Sequence, residues 1–108
     1  MKLETLINYL LNAELLQNWY KNENLNLDSE ALLIYMKHEL HLDSEIKIFE
    51  IEETKDKLTF EKGGVTYIQV LPIDYAITLI HEDLALANKG ISDLDIAKRL
   101  LEYRIFDA

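Results

Sequence analysis

The run His38-Glu39-Leu40-His41 brings together the most chemically versatile side chains in the 108-residue sequence. Two histidines at i, i+3 on a helix share a face and can hold one metal ion. His81-Glu82-Asp83 offers further ligands if the fold brings it near. A zinc-peptidase helix, however, needs its histidines at i, i+4 with a glutamate between them, and this run lacks that spacing. Histidines near a helix C-terminus also have a simpler role, because a cation there opposes the helix dipole.

Other reactive groups are accounted for by local structure. The carboxylate pairs Glu52-Glu53, Glu82-Asp83 and Asp93 with Asp95 fall in turns, on a solvated helix face or in a first helical turn. General acid–base work instead needs two carboxyls in one cleft with different surroundings. There is no cysteine, which excludes a thiolate nucleophile, a thiolate zinc site and a disulfide scaffold. Ser29, Ser44 and Ser92 stand where helix caps and turns want them, and none lies in a Gly-x-Ser-x-Gly elbow. Gly63-Gly64 is followed by neither a helix nor Lys-Ser/Thr, so it is a hairpin signal and not a phosphate loop. The expectation is a non-catalytic protein with no cofactor and no bound metal. A metal-dependent factor using His38, His41 and His81 is the chemical alternative.

These residues must be positioned by a small set of elements. Leu3, Leu6, Ile7, Leu10, Ala13, Leu16 and Tyr20 recur at helical spacing over residues 2–23, and Asn12 can break and restart the helix. Trp19-Tyr20 with Tyr9 form an aromatic cluster expected in the core. Asp28 or Ser29 is read as the cap of a second helix over 29–40, with Leu32, Leu33, Met36 and Leu40 as its buried stripe. Residues 45–71 change to period two and predict three strands. Ile46 and Ile48 alternate, Phe49 and Ile51 continue on the other parity, and a bulge at Ile48-Phe49 is the preferred explanation. The alternative is a strand covered on both faces. Leu58 and Phe60 lie in the second strand and Val65 to Leu71 form the third. A two-residue turn sets Phe60 opposite Tyr67, whereas a three-residue turn sets Leu58 opposite Ile68.

Pro72 ends the sheet and opens a helix with the stripe Ile73, Ile77, Ile80, Leu84 and Ala87. Asn88-Lys89-Gly90 reads as its C-terminal cap. Ser92 caps a last helix, flanked by Ile91 and Ile96 at staple spacing, with Ile96, Leu100, Tyr103 and Phe106 facing inward. The predicted fold is a single compact α+β domain over residues 1–108. N-terminal helices lead to a three-stranded antiparallel β-meander, and two C-terminal helices pack on one face of the sheet.

Composition then narrows the function. Hydrophobic residues make up 49%, enough for a core, and Gly 3 and Pro 1 are too few for a linker or disordered tail. No signal-peptide pattern and no membrane-length apolar run is present, so the expected compartment is the cytoplasm, with no membrane contact. Twenty Asp+Glu against eleven Lys+Arg give a net charge of −9, which argues against direct nucleic-acid binding through phosphates. Up to Thr54 there are four lysines against eleven acids, a net of −7, and the rest of the chain carries only −2.

Asp43, Glu45, Glu50, Glu52, Glu53 and Asp56 concentrate that charge. They are the expected contact residues for a basic partner protein, such as a toxin or a nucleic-acid-handling enzyme. In size, acidity, lack of cysteine and lack of a catalytic motif, the chain resembles toxin-neutralising immunity proteins, antitoxins and nucleic-acid-mimicking inhibitors. The likeness is one of profile and rests on no shared motif. Solubility alone is a competing explanation of the charge. A self-associating structural or regulatory module, a homodimer through the sheet face or a sheet edge, is the alternative function. Val65 with Tyr67, or Ile68 with Val70, would supply its apolar patch.

Overall fold

A computed structural model describes residues 1–87 and 89–107. The first two helices are α1 (Leu3–Leu10) and α2 (Ala13–Asn22). Leu3, Leu6, Ile7 and Leu10 are buried at i, i+3, i+4 and i+7, the stripe that drives α1 onto the core. The restart expected at Asn12 is present. Its extended backbone leaves the helical path, and its Oδ1 accepts the Glu14 and Leu15 N–H groups at 3.0 and 3.1 Å.

The helix expected over 29–40 is not formed. Those residues contain β1 (Leu32–Lys37), entered from a turn. Leu33, Ile34, Tyr35 and Met36 are all fully buried, a continuous apolar run without helical period. Such a run fits a central strand covered on both faces. The helical reading of Leu32, Leu33 and Met36 ignored Ile34 and Tyr35, which need a second apolar face.

The chain continues through β2 (Ile46–Glu50), the single-turn helix α3 (Ile51–Thr54), β3 (Thr59–Lys62) and β4 (Val65–Pro72). The sheet therefore has four strands, not three. They run antiparallel in the order β2-β1-β4-β3. It is built from two hairpins, β1-β2 and β3-β4, joined side by side through β1 and β4, and is not a simple meander.

β2 pairs with β1 in unbroken register from Ile46 opposite Met36 to Glu50 opposite Leu32, so the bulge expected at Ile48-Phe49 is absent. Both faces of β2 are covered instead: Ile46 and Ile48 pack with the helices, and Phe49 packs on the other side. The register shift lies between β1 and β4, where Leu33 faces Pro72 but Tyr35 faces Gln69. The β3-β4 turn has two residues. Phe60 faces Tyr67, and Gly63 and Gly64 have φ of +58° and +79°, the pair of left-handed conformations a type I′ turn requires.

The remaining elements are α4 (Ile73–Thr78), a π-helical turn (Leu79–Asp83) and α5 (Asp93–Phe106). Pro72 caps α4, as expected from sequence, but the regular α-helix stops at Thr78. The Leu84 N–H then reaches back five residues to the Leu79 carbonyl. The cap assigned to Asn88-Lys89-Gly90 rests on Asn88, which lies outside the described residues. Ser92 caps α5 by accepting the Asp95 N–H at 3.1 Å. Ile96 and Leu100 face inward, but Phe106 is 79% exposed and does not.

Two apolar clusters result. The larger joins α1, α2, α4 and α5 to one face of the sheet through Ile34, Met36, Ile46 and Val70. The smaller, on the opposite face, is Leu33, Tyr35, Phe49 and Tyr67, with Phe60, Val65 and Ile51 at its margin. Its geometry shows how the sheet is shaped. Phe49 and Phe60 belong to the two outermost strands, yet their ring centroids are 5.2 Å apart. Three strand spacings in a flat sheet come to about 14 Å. The sheet is therefore strongly curled, with aromatic rings filling its concave side. Tyr35 Oη, fully buried there, donates to the Lys57 carbonyl at 2.7 Å and accepts from Gln69 Nε2 at 3.2 Å.

Candidate functional site

The six carboxylates read from sequence as one acidic face are divided by β2 into two groups. Asp43 and Glu45 stand in the 38–45 connection before the strand, and Glu50, Glu52, Glu53 and Asp56 follow at its other end. At the first end, Glu45 accepts the Met1 ammonium at 2.7 Å. That hydrogen bond, reinforced by the ammonium charge, holds the Glu45 carboxyl below its ordinary value. Asp43 approaches Lys2 at 3.5 Å.

At the second end most carboxylates have structural partners. Glu52 accepts the Ser29 hydroxyl and, at 2.9 Å, the Glu30 backbone N–H. Both lower its pKa, the hydroxyl more strongly. Glu53 accepts from Lys62 Nζ at 2.8 and 3.2 Å, tying α3 to β3. Asp56 accepts from Gln69 Nε2 at 3.1 Å. Glu50 is half-buried at the end of β2.

The histidines do not converge. His38 sits in a left-handed conformation (φ +68°), its N–H bonded to the Thr66 carbonyl. His41 Nδ1 accepts the Asp43 N–H at 3.0 Å. His81 lies elsewhere, its Nε2 3.2 Å from the Leu10 carbonyl oxygen. Among the described residues no group of three or more His, Cys, Asp or Glu is placed to hold a metal ion.

Between the two acidic groups runs the outer edge of β2. The Lys37 N–H donates to the Glu45 carbonyl at 2.9 Å. The close hydrogen-bonded pairs of the antiparallel ladder therefore fall at 37/45, 35/47 and 33/49, and the backbone groups of Ile46, Ile48 and Glu50 turn away from β1. The Ile46 N–H is taken by the Met1 carbonyl at 2.8 Å. The outward N–H groups of Ile48 and Glu50 and the outward carbonyls of Ile46 and Ile48 find no partner among the described residues.

A cleft of about 360 Å³ borders this edge, walled by Trp19, Glu23, Leu25, Lys47 and Ile48. A second, of about 240 Å³, shares Leu25, Lys47 and Ile48 and extends past Glu50 to Glu53 and Lys62. Trp19 is core, as expected. It is 8% exposed and stacked on Tyr9 at 5.5 Å, and its Nε1–H is buried without a partner among the described residues.

Sequence reasoning did not foresee this edge, because it placed β1 in a helix and gave β2 a bulge. The available signal was the two-faced apolar pattern of 46–49, which a strand covered on both sides explains without a bulge.

No protein-family model matches the chain, and no curated protein and no solved structure matches it. No helix among the described residues is long and apolar enough to cross a membrane.

Proposed function

We propose that this chain is a non-catalytic binding protein that docks a basic surface of a partner protein. The observation carrying this reading is the balance of charge on the folded exterior. Of twenty carboxylate side chains, only Asp43, Glu45 and Glu53 lie within 4.0 Å of a lysine, arginine or terminal ammonium among the described residues. The rest leave an exterior whose negative potential steers a basic partner into encounter and repels acidic ones.

The test is affinity capture followed by calorimetry on the protein retained. The reading expects retained proteins of basic isoelectric point, with affinity falling at least tenfold between 50 and 500 mM salt, on the order expected where screening shortens from ~14 to ~4 Å. The paired change Asp43→Lys with Glu50→Lys, one carboxylate from each end of β2, should weaken binding further. Retained partners of neutral charge, indifferent to salt and to both reversals, would refute it.

A second reading, self-association, has one specific support. Leu94, Ile105 and Phe106 of α5 are exposed, and Leu42, Leu101 and Ile105 line a shallow apolar groove. A sheet-face dimer through Tyr67 or Val70 has little to offer, because the chain buries both residues in its own clusters. A salt-insensitive dimer in sedimentation, lost on Phe106→Ser, would favour this reading.

A further inference from the structure

We propose that the outer edge of β2 is a strand-addition site, occupied by an extended, lysine- or arginine-bearing segment of the partner protein. This rests on the binding reading above and supplies its mode.

Four outward backbone groups on Ile46, Ile48 and Glu50 lack partners among the described residues, while the neighbouring Ile46 N–H is already satisfied by the Met1 carbonyl. The edge is thus a hydrogen-bonding template that the chain itself begins to pair and does not complete. An added strand supplies the missing donors and acceptors, and the groove beside the edge receives alternate side chains. Trp19 and Leu25 give that groove an apolar wall.

Charge selects the occupant. Glu23 and Glu50 line the clefts with no cation within 4.0 Å among the described residues, against one lysine, Lys47, that lines both clefts with no carboxylate in that range, while Glu53 is balanced by Lys62. A second copy of the chain fits poorly. Antiparallel pairing about Ile48 would set the Glu50–Glu53 end of one β2 against the Asp43–Glu45 end of the other, in chains each carrying −9. Like charges set face to face are unfavourable. A segment carrying basic residues meets Glu50, which has no cation within 4.0 Å among the described residues, in a chain whose net charge of −9 favours a cationic strand. The opposite edge, β3, is the shorter template, with four residues against five in β2.

Glu50 permits a clean test. Its φ is −71° and its N–H points away from β1. Proline therefore fits its backbone and removes an edge donor without breaking a ladder bond. Glu50→Gln removes the charge and keeps the donor.

The probe is the acetylated, amidated heptapeptide Lys-Val-Lys-Val-Lys-Val-Lys, followed by Trp19 fluorescence and by amide hydrogen exchange. Its alternately N-methylated form and its Glu-for-Lys counterpart are the controls. Binding should slow exchange of the Ile48 amide at least tenfold. Glu50→Pro and N-methylation should each weaken binding at least tenfold, with the melting temperature of the variant confirming its fold. Glu50→Gln should weaken it only about threefold.

Salt-sensitive binding that neither protects Ile48 nor responds to Glu50→Pro overturns strand addition and leaves the acidic-surface reading standing. Equal binding of the acidic peptide, with Ile48 protected, overturns the basic occupant and the charge-based reading with it. A dimer broken by Glu50→Pro assigns the edge to a second copy and overturns the partner. No binding of the basic peptide overturns the proposal.

Discussion

Changing Phe49 and Phe60 to leucine, singly and together, tests whether the sheet curls as described. The two rings are 5.2 Å apart in an edge-to-face arrangement although their strands lie at opposite margins of the sheet. Phe49 also meets Tyr67 at 4.9 Å and Tyr35 at 5.5 Å. Each single change keeps an apolar side chain but loses ring contacts, at a cost of about 1–2 kcal/mol. Direct aromatic pairs couple by about 0.5–1.5 kcal/mol beyond area burial. Sites more than about 10 Å apart with no shared partner add to within about 0.5 kcal/mol.

The double variant should therefore differ from the sum of the singles by about 1 kcal/mol. Urea unfolding with linear extrapolation resolves this difference, and a domain of this size, stable by about 5–15 kcal/mol, can bear both changes. Phe60→Leu combined with Ile96→Val is the control. Ile96 lies in the helix-side cluster, so those effects should add. If Phe49 and Phe60 add as well as the control pair, the two edges do not meet, and the account of the concave face fails.

Other expectations follow from single contacts. Burial, and secondly the charge of Asp74, raise the Tyr20 phenol to about 12. A folded pKa above the unfolded value of about 10 gives stability that is complete below pH 10 and lost as pH rises toward 12. Tyr20→Phe should flatten that alkaline loss, and Asp74→Asn should bring tyrosinate absorbance on at lower pH. An alkaline limb identical in Tyr20→Phe would refute the assignment. Asn12→Ala removes the acceptor for two N–H groups at the start of α2. It should cost about 1 kcal/mol, seen as a melting point about 4–8 °C lower, whereas Asn12→Asp should be nearly neutral.

Much of the chain's architecture was written locally. The α1 stripe, the Asn12 break, the Gly63-Gly64 turn, Pro72 at the start of α4 and the Ser92 cap depend on interactions spanning a few residues. Side-chain period, capping chemistry and left-handed backbone are visible at that range. The α+β class and the excess of carboxylates followed from the sequence alone.

Tertiary structure decided what depends on a second surface. Residues 32–36 are apolar on every side, and only the aromatic cluster beneath the sheet makes them a central strand and not a helix. The same cluster lets Phe49 face away from Ile46 and Ile48 without a bulge. The acidic group at 43–56 is continuous in sequence, but four strand residues intervene between Glu45 and Glu50, and the fold engages Glu45, Glu52, Glu53 and Asp56 with partners as distant in sequence as Met1 and Ser29. Which backbone groups of β2 stay unpaired was fixed only by strand order, because a ladder assigns each N–H and C=O inward or outward by its neighbour, and that neighbour is chosen by the whole fold.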